Sequence, residues 1–210
     1  MANFEIMKKV LGVCATNCYL IGNPDTREAV VVDPADRADV LISAWEQANW
    51  KPTSVLLTHG HFDHIGALAG VRRKYPDIKV YAAAREEAVL KSDRLNLSSM
   101  FGAAFTEQAD IYLEDGQEIS VLGKMCKCLL VPGHTQGGMC YYFPDEKVVF
   151  TGDTLFCYSV GRTDFPTGDA KALEDNIREK LFCLPDDTLV LPGHDAQTMI
   201  GKEKAGNPYF

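Results

Sequence analysis

Apolar positions along the chain change repeatedly between the alternation typical of strands and the spacing typical of helices. Apolar runs bounded by Gly, Pro, Asn and Asp predict strands at 4–10, 18–21, 29–33, 54–58, 79–82, 111–113, 118–121, 126–131, 139–143, 147–151 and 188–191. Helical spacing predicts helices at 38–49, 67–75, 84–90 and 171–182. Residues 92–109 have no clean period and are predicted as a long loop, which in other proteins is usually functional or mobile.

The order of these elements indicates the fold class. Strands cluster in both halves of the chain, and each cluster is followed by helix, which favours an α/β protein with two sheets packed face to face and helices outside. The length of 210 residues suits one large domain or two small ones. Since no repeat, low-complexity tract or linker interrupts the pattern, we treat 1–210 as a single domain.

Composition excludes several classes of partner. The formal net charge of −8 argues against nucleic acid or an anionic membrane as the main partner. No run approaches the roughly 18 apolar residues that a membrane span needs, and residues 1–9 lack the features of a signal peptide. The seven cysteines form neither a zinc ribbon nor a Cys-x-x-Cys pair. We therefore expect reduced cysteines and a cytoplasmic protein.

All five histidines of the chain occur in positions that suit a metal ligand. His59, His61 and His64 fall in one short segment after a predicted strand, whereas His134 and His194 each follow a Pro-Gly pair. A lone histidine is more often an ordinary core or surface residue. The joint pattern favours metal binding, for which neutral imidazole is the commonest ligand.

Two carboxylates complete the candidate set. His59 and His61 flank one residue, so both side chains can point the same way from an extended segment. Asp63 and His64 are adjacent, so we expect their side chains to diverge and to serve two different metals. Asp153 follows another predicted strand. Five imidazoles and two carboxylates exceed the needs of one ion, and two metals that share a bridging carboxylate would use them all, with zinc, iron or manganese as the suited cations.

The motifs around these residues resemble the metallo-β-lactamase superfamily along essentially the whole chain, and within it a small glyoxalase II-type hydrolase. The resemblance implies a four-layer αββα sandwich with a dinuclear site at one edge. The matching segments are Asn17-Cys18-Tyr19-Leu20, Val32-Asp33-Pro34, 58–64, Pro132-Gly133-His134-Thr135, 151–156, 161–164 and Pro192-Gly193-His194.

The resemblance also implies a ligand set and a reaction. A metal-bridging hydroxide would attack the carbonyl of a thioester such as S-D-lactoylglutathione, and Asp63 would in addition orient the hydroxide. The cofactors would be two divalent cations, zinc before iron or manganese. The first metal would be held by His59, His61 and His134, the second by Asp63, His64 and His194, with Asp153 as the bridge.

Departures from the family pattern narrow the prediction. Asp153 stands where the best-known zinc β-lactamases have Cys, and His61 where diiron flavoproteins have Glu, so neither activity is expected. The chain ends at Phe210, so we expect it to lack the C-terminal helical domain that grips glutathione in full-length glyoxalase II. Asp195 follows His194 where the larger enzymes carry a substrate-contacting Tyr. These features resemble the short, single-domain branch of the family.

Other residues near the candidate ligands keep two interpretations each. Arg162 lies where glyoxalase II-like enzymes carry a basic glutathione-contacting residue, and its guanidinium suits a carboxylate, but it could instead pair with Asp164. Thr135 could orient a ligand or cap a turn, and we favour the turn. Met100 and Phe101 could form an apolar wall over the pocket or pack in the core.

Alternative functions also remain. The segment 161–165 resembles persulfide dioxygenases, which hold one iron with two His and one Asp, so an iron oxidoreductase is the main competitor. Hydrolysis of another thioester, a lactone or a phosphodiester is a third hypothesis, and a purely binding role is disfavoured. In each hydrolytic case the expected partner is a small molecule, for the first hypothesis a glutathione-linked thioester.

Overall fold

A computed structural model of the chain describes residues 4–210. Residues 1–3, the beginning of the segment in which we find no signal peptide, lie outside the described residues. The helices are α1 (Ala38–Gln47), α2 (Phe62–Ile65), α3 (Leu68–Lys74), α4 (Glu87–Leu90), α5 (Ala170–Asn176) and α6 (Ile200–Gly206), with 3₁₀ turns at Ala84–Glu86 and Ser98–Met100 and a π turn at Ile177–Leu181.

The first sheet is built from the N-terminal half of the chain. Its strands lie in sequence order, the first three antiparallel and the rest parallel. Parallel neighbours need a crossover, which α1 supplies between the third and fourth strands and α3 between the fourth and fifth. These strands are β1 (Glu5–Leu11), β2 (Thr16–Gly22), β3 (Glu28–Val32), β4 (Lys51–Leu56), β5 (Lys79–Ala83) and β6 (Ile111–Leu113).

The second sheet follows from the C-terminal half. Its strands are β7 (Glu118–Val121), β8 (Lys124–Leu130), β9 (Met139–Phe143), β10 (Val148–Gly152), β13 (Leu189–Pro192) and β14 (Thr198–Met199). Their order across the sheet is β14-β13-β10-β9-β8-β7, antiparallel throughout except for the parallel pair β10 and β13. A separate hairpin is formed by β11 (Leu155–Phe156) and β12 (Ser159–Val160).

Three apolar clusters separate four layers. Side chains such as Ile21 and Phe150 fill the space between the two sheets. Leu68 belongs to the cluster that joins the helices α1 and α3 to the outer face of the first sheet. Leu173 and Ile200 join the last helices to the outer face of the second sheet. The predicted αββα sandwich is confirmed.

Strand β2 shows why the sequence of some strands is a continuous apolar run instead of an alternating pattern. Its residues Cys18 and Leu20 face the helical layer, and Tyr19 and Ile21 face the other sheet. A strand that is buried on both faces has no polar side to alternate with the apolar one. The apolar run at 18–21 therefore reflects a central position in the sandwich.

Several predicted boundaries were wrong. Strand β4 ends at Leu56 instead of residue 58, and the predicted helix 171–182 changes at Asn176 from an α-helix to a π turn. The hairpin β11–β12, the strand β14 and the helix α6 were not predicted. The two strands of the hairpin and β14 have two residues each, too few to show a period, and α6 contains Gly201 and Gly206, which disfavour helix.

All seven cysteines are free thiols. Within residues 4–210 we find no helix with the length and hydropathy that a bilayer crossing requires.

Candidate metal centre

The candidate ligands meet where strand ends of both sheets converge. Strands β8 and β10 both run antiparallel to β9, and β13 runs parallel to β10, so these three strands end on the same side. His134, Asp153 and His194 follow them. His59 follows β4 of the first sheet, and the two sheets are joined here because Met139 N donates to Thr58 O at 2.8 Å.

Glycines let these loops approach one another. Gly133, before His134, has φ of +141°, a conformation that favours glycine, and a Cβ there would lie 2.4 Å from Leu173. A Cβ on Gly193, before His194, would lie 2.2 Å from an oxygen of Asp153. The loop before His134 thus needs glycine for both its conformation and its packing, and the loop before His194 needs it for close approach.

Three imidazoles form the first ligand group. Nδ1 of His61 lies 3.1 Å from Nε2 of His59 and 3.0 Å from Nε2 of His134. The backbone of His61 is extended, at φ −67° and ψ 149°, so His59 and His61 project to the same side as expected. All three side chains are buried. The structure therefore brings together three of the predicted ligands around one point.

A carboxylate and two imidazoles form the second group. Oδ2 of Asp63 lies 3.5 Å from Nε2 of His64 and 3.4 Å from Nε2 of His194, and it accepts a hydrogen bond from Thr16 Oγ1 at 2.8 Å. The prediction that Asp63 and His64 diverge was wrong. The chain enters helix α2 at Phe62, and successive side chains on a helix lie about 100° apart instead of opposite one another.

Asp153 faces both groups. Its Oδ1 lies 3.3 Å from Nε2 of His64, and its Oδ2 lies 3.3 Å from Nε2 of His194. The same Oδ2 is 3.6 Å from Nε2 of His134 in the first group. All seven sequence-predicted metal ligands are thus in one cluster, with the Asp153 carboxylate at its centre.

Hydrogen bonds outside the cluster fix the orientation of two rings. Nδ1 of His64 lies 2.9 Å from Oδ2 of Asp33, whose two oxygens also accept hydrogen bonds from Thr58 N and Oγ1 at 2.8 and 2.6 Å. Nδ1 of His134 lies 2.7 Å from the carbonyl oxygen of Arg162. Because these partners accept, each ring carries hydrogen at Nδ1 and turns Nε2 toward the cluster.

The first group is arranged to keep its rings neutral. Burial, reinforced by the neighbouring histidines, lowers the pKa of His59 well below its usual value. Burial also lowers the pKa of His134, and lowers that of His61 to about 3. Neutral imidazole is the form that binds a metal.

The second group has the opposite electrostatics. Burial disfavours a charged His64, but Asp63 and Asp153 outweigh it and raise its pKa well above the usual value. The same competition raises the pKa of His194 to about 9. The histidines in turn outweigh burial at the carboxyl groups, so the pKa of Asp63 falls to about 2 and that of Asp153 lies well below its usual value. Cation binding here would therefore release protons.

The donor set fits divalent cations. Nε2 of His64 and Oδ1 of Asp153 are buried without a hydrogen-bond partner, although buried polar atoms are nearly always paired. Tetrahedral zinc, with Zn–N distances of about 2.0–2.1 Å, separates its ligand atoms by about 3.3 Å. The separations of 3.0–3.6 Å given above match that spacing. Imidazole and carboxylate ligands also suit iron and manganese.

A cleft of about 400 Å³ opens over the two groups. Its wall includes Phe62, Phe101, Phe156 and Phe165. The rings of Phe62 and Phe101 are stacked, with centroids 4.5 Å apart and an interplanar angle of 19°. Phe101 is 54% exposed and Met100 65% exposed. Core packing is therefore excluded for Met100 and Phe101, and Phe101 belongs to an apolar wall.

Arg162 lines the same cleft but has a partner within the chain. Its guanidinium makes two hydrogen bonds to the carboxylate of Asp164, at 2.7 and 2.6 Å, and lies 3.9 Å from the centroid of the Phe165 ring. The ion pair that we considered as the alternative is therefore present. Thr135, considered above as a residue that orients a metal ligand or caps a turn, donates from Oγ1 to Glu86 at 3.0 Å instead of to a predicted ligand.

Three residues that contact this site, Asp33, Thr16 and Glu86, have no predicted role. Asp33 lies within a quoted motif, Val32-Asp33-Pro34, which could have drawn attention to it. Thr16 directly precedes another motif. Glu86 lies in a predicted helix, where a glutamate is an ordinary surface residue, and nothing in the sequence distinguishes it.

Comparison with known proteins defines the class. Residues 11–194 match the profile of the Metallo-beta-lactamase superfamily. The chain belongs to this superfamily, whose other members with solved structures share the fold described above. It is a metallo-hydrolase of that superfamily, and its His and Asp cluster indicates divalent metals.

Individual relatives are similar over nearly the whole chain. The hydroxyacylglutathione hydrolase GloC of Haemophilus influenzae is 35% identical over 200 residues, which are 92% of each chain. The solved structure of the B3 metallo-beta-lactamase BLEG-1 has a TM-score of 0.92 and 38% identity, covering 98% of this chain and 99% of that one. TTHA1623 in a di-iron-bound form has a TM-score of 0.85 and 32% identity, covering 97% and 100%.

Proposed function

We propose that this protein is a dinuclear metal-dependent hydrolase of thioesters, with S-D-lactoylglutathione as the representative substrate. The observation that carries the proposal is the Asp153 carboxylate, which lies 3.3 Å from His64 and His194 and 3.6 Å from His134. A single-cation site would not use a carboxylate shared between two ligand groups. One cation would be held by His59, His61 and His134, the other by Asp63, His64 and His194, with Asp153 shared.

The chain's own residues suit hydrolysis at this cluster. Two bound cations supply a water of lowered pKa and a Lewis acid for the carbonyl oxygen. Asp63 has a pKa of about 2 and is ionised at neutral pH. One of its oxygens accepts from Thr16, which leaves the other to accept a hydrogen bond from the attacking water and orient it.

The leaving group favours a thioester over an amide. Among the described residues that line the cleft, the carboxyl groups are Asp63, Asp153 and Asp195, and the first two belong to the ligand set. Burial raises the pKa of the Cys14 thiol, which makes it a weak acid. An amine must be protonated as it leaves, whereas a thiol of pKa about 8.5 departs as the thiolate.

The relatives support the same substrate class. GloC, at 35% identity, is a hydroxyacylglutathione hydrolase by name. A glutathione thioester carries carboxylates. Arg162, which lines the cleft, would bind one of them after its hydrogen bonds to Asp164 break. We further propose zinc as the main cation. Iron is the competitor, because TTHA1623 has been solved in a di-iron-bound form. We also propose that the enzyme is cytoplasmic and has a single domain.

Hydrolysis of β-lactams is the second candidate. The observation in its favour is the 38% identity and TM-score of 0.92 to BLEG-1, a B3 metallo-beta-lactamase. Against it stands the aspartate at 153, where the best-known zinc β-lactamases have Cys. A chromogenic cephalosporin tested under the same conditions distinguishes the two activities.

Release of free thiol from S-D-lactoylglutathione, with metals quantified on the same sample, tests the proposal. Protein stripped by a chelator and reloaded separately with zinc, iron or manganese serves as its own control. We expect turnover that needs about two cations per chain and consumes no oxygen. One iron per chain, with oxygen consumed in the presence of glutathione persulfide, would replace the proposal with the oxidoreductase alternative. Two cations without thiol release would move the search to other thioesters, lactones and lactams.

A further inference from the structure

Glu86 is a fully buried carboxyl group that belongs to neither ligand group. It lies at the end of the 3₁₀ turn that follows β5. Its Oε1 accepts a hydrogen bond from Gly60 N at 2.9 Å, and its Oε2 accepts one from Thr135 Oγ1 at 3.0 Å. Gly60 stands between His59 and His61.

Both contacts therefore fall next to ligands of the first group, but on loops from different sheets. Gly60 is on the loop after β4, and Thr135 directly follows His134 on the loop after β8. Gly137 on the second loop also packs against this carboxyl group, since a Cβ there would lie 2.4 Å from Oε2. Gln136 Nε2 donates to the neighbouring carbonyl of Arg85 at 2.8 Å. Glu86 thus joins the two loops through one carboxyl group.

We propose that Glu86 is a positioning residue that sets the distance between the His59–His61 pair and His134, and thereby the metal affinity of the first ligand group. This inference rests on the proposed function, since it requires that the three histidines bind a cation. The physical reason is that neither loop is part of a sheet ladder at the ligands, and the hydrogen bond from Met139 N to Thr58 O joins the sheets beside the histidines instead of between them. Two directional hydrogen bonds to one rigid carboxyl plane define the separation of the loops more narrowly.

The chain offers a matched control. Glu203 is also fully buried and accepts hydrogen bonds from Thr198 Oγ1, Tyr158 N and Asn207 Nδ2, at 2.6, 2.9 and 2.8 Å. None of these partners is adjacent in sequence to a predicted ligand. Removal of either glutamate deletes a buried, hydrogen-bonded carboxyl group, so both changes destabilise the fold. Only the loss of Glu86 is expected to change metal affinity at the three histidines.

Zinc affinity, measured by competition with a chromophoric chelator, tests the proposal. We make the variants Glu86→Ala, Glu86→Gln and Glu203→Ala in a His194→Ala background. In this background the second ligand group lacks one histidine, whereas the first group keeps all three. We expect Glu86→Ala to weaken zinc binding by about 10- to 100-fold, the range found for partners that orient metal ligands. In Glu86→Gln the amide oxygen can still accept from Gly60 N, and the amide nitrogen can donate to the Thr135 hydroxyl. We therefore expect a smaller loss of zinc affinity than in Glu86→Ala. Glu203→Ala keeps the affinity of the background.

The outcomes separate the possible failures. Unchanged affinity in Glu86→Ala, or equal weakening in Glu86→Ala and Glu203→Ala, would show that Glu86 is only structural. If Glu86→Ala does not fold, Thr135→Val decides, because it removes one of the two hydrogen bonds and leaves Glu86 in place. Background affinity in that variant overturns the positioning role. Absence of zinc binding in the unmodified protein would instead contradict the proposed function.

Discussion

Nδ1 of His64 lies 2.9 Å from Oδ2 of Asp33, and both side chains are buried. This pair connects the residue after β3 to helix α2, which carries two ligands of the second group. The Asp33 carboxylate also accepts both hydrogen bonds of Thr58, one residue before His59. A single carboxylate outside the cluster therefore orients His64 and fixes the start of the ligand segment.

The first prediction concerns Asp33→Asn. Asp33 has φ of +53°, which Asn tolerates, so the change removes an acceptor oxygen without straining the backbone. We expect zinc affinity of the Asp63, His64 and His194 group to fall by about 10- to 100-fold. Zinc titration measures it, and Asp36→Asn, at an exposed aspartate of the same loop, is the control. Equal effects in both variants would contradict an orienting role.

The second prediction is that Asp153→Ala loses one cation per chain and nearly all activity while the fold survives. Partners that only orient a ligand contribute about 10- to 100-fold to affinity or activity, so loss of the shared ligand is expected to exceed that range. The apolar clusters do not involve the cations, so the circular dichroism spectrum is expected to remain native. Metal analysis and the spectrum are measured together. Global unfolding of this variant, or of the chelated protein, would show that the site is structural.

Some features of the site depend only on residues that are close together in the sequence, and these could be predicted. Gly133 and His134 could be predicted together because the turn and the ligand are adjacent, and the spacing of His59 and His61 determines that they share a side. The convergence of Asp63 and His64 was missed because one turn of helix has too few residues to show a period.

Contacts made across the sandwich could not be predicted. Glu86 becomes distinct from a surface glutamate only when the loops after β4 and β8 are placed on either side of it. The carbonyl of Arg162 that orients His134 is a backbone group, and no residue type signals it. The ligands were therefore predicted from local motifs, whereas their supporting contacts required the tertiary structure.

The third prediction concerns the pH dependence of stability. Burial raises the pKa of Glu86 to about 7, above the ordinary value of 4.5 that an exposed glutamate has in an unfolded chain. A group whose pKa is raised on folding contributes stability below its unfolded pKa, and this contribution is lost as pH rises through the folded pKa. Urea unfolding of the metal-free protein at pH 4 to 8 measures the free energy of unfolding. As the pH rises from 4 to 8, we expect the free energy of unfolding of the unmodified protein to fall by about 3 kcal/mol relative to that of Glu86→Gln. A constant difference would contradict a buried, titrating Glu86.

The fourth prediction concerns the wall of the cleft. Phe101 is half exposed and stacked on Phe62, so it offers an apolar surface to a substrate. Loss of about 1 kcal/mol of contact in Phe101→Ala is expected to raise KM about five-fold. An unchanged kcat is expected because the contact is equal in the ground and transition states. Met100→Ala is the control, since Met100 is as exposed but does not line the cleft. An unchanged KM in Phe101→Ala would exclude the apolar wall from substrate binding.

The fifth prediction concerns competition for Arg162. Its guanidinium is held by Asp164, and both side chains are largely exposed, so the pair is weak and can exchange partners. If a substrate carboxylate binds Arg162, Asp164→Asn releases the guanidinium and lowers KM for S-D-lactoylglutathione a few-fold, whereas Arg162→Ala raises KM. Both effects are expected to shrink as salt rises, since exposed charges are screened. A thioester of a thiol without carboxylates is the control substrate, and its KM is expected to stay the same in both variants. Equal changes for the two substrates would assign Arg162 and Asp164 to the structure of the loop that orients His134 instead of to substrate recognition.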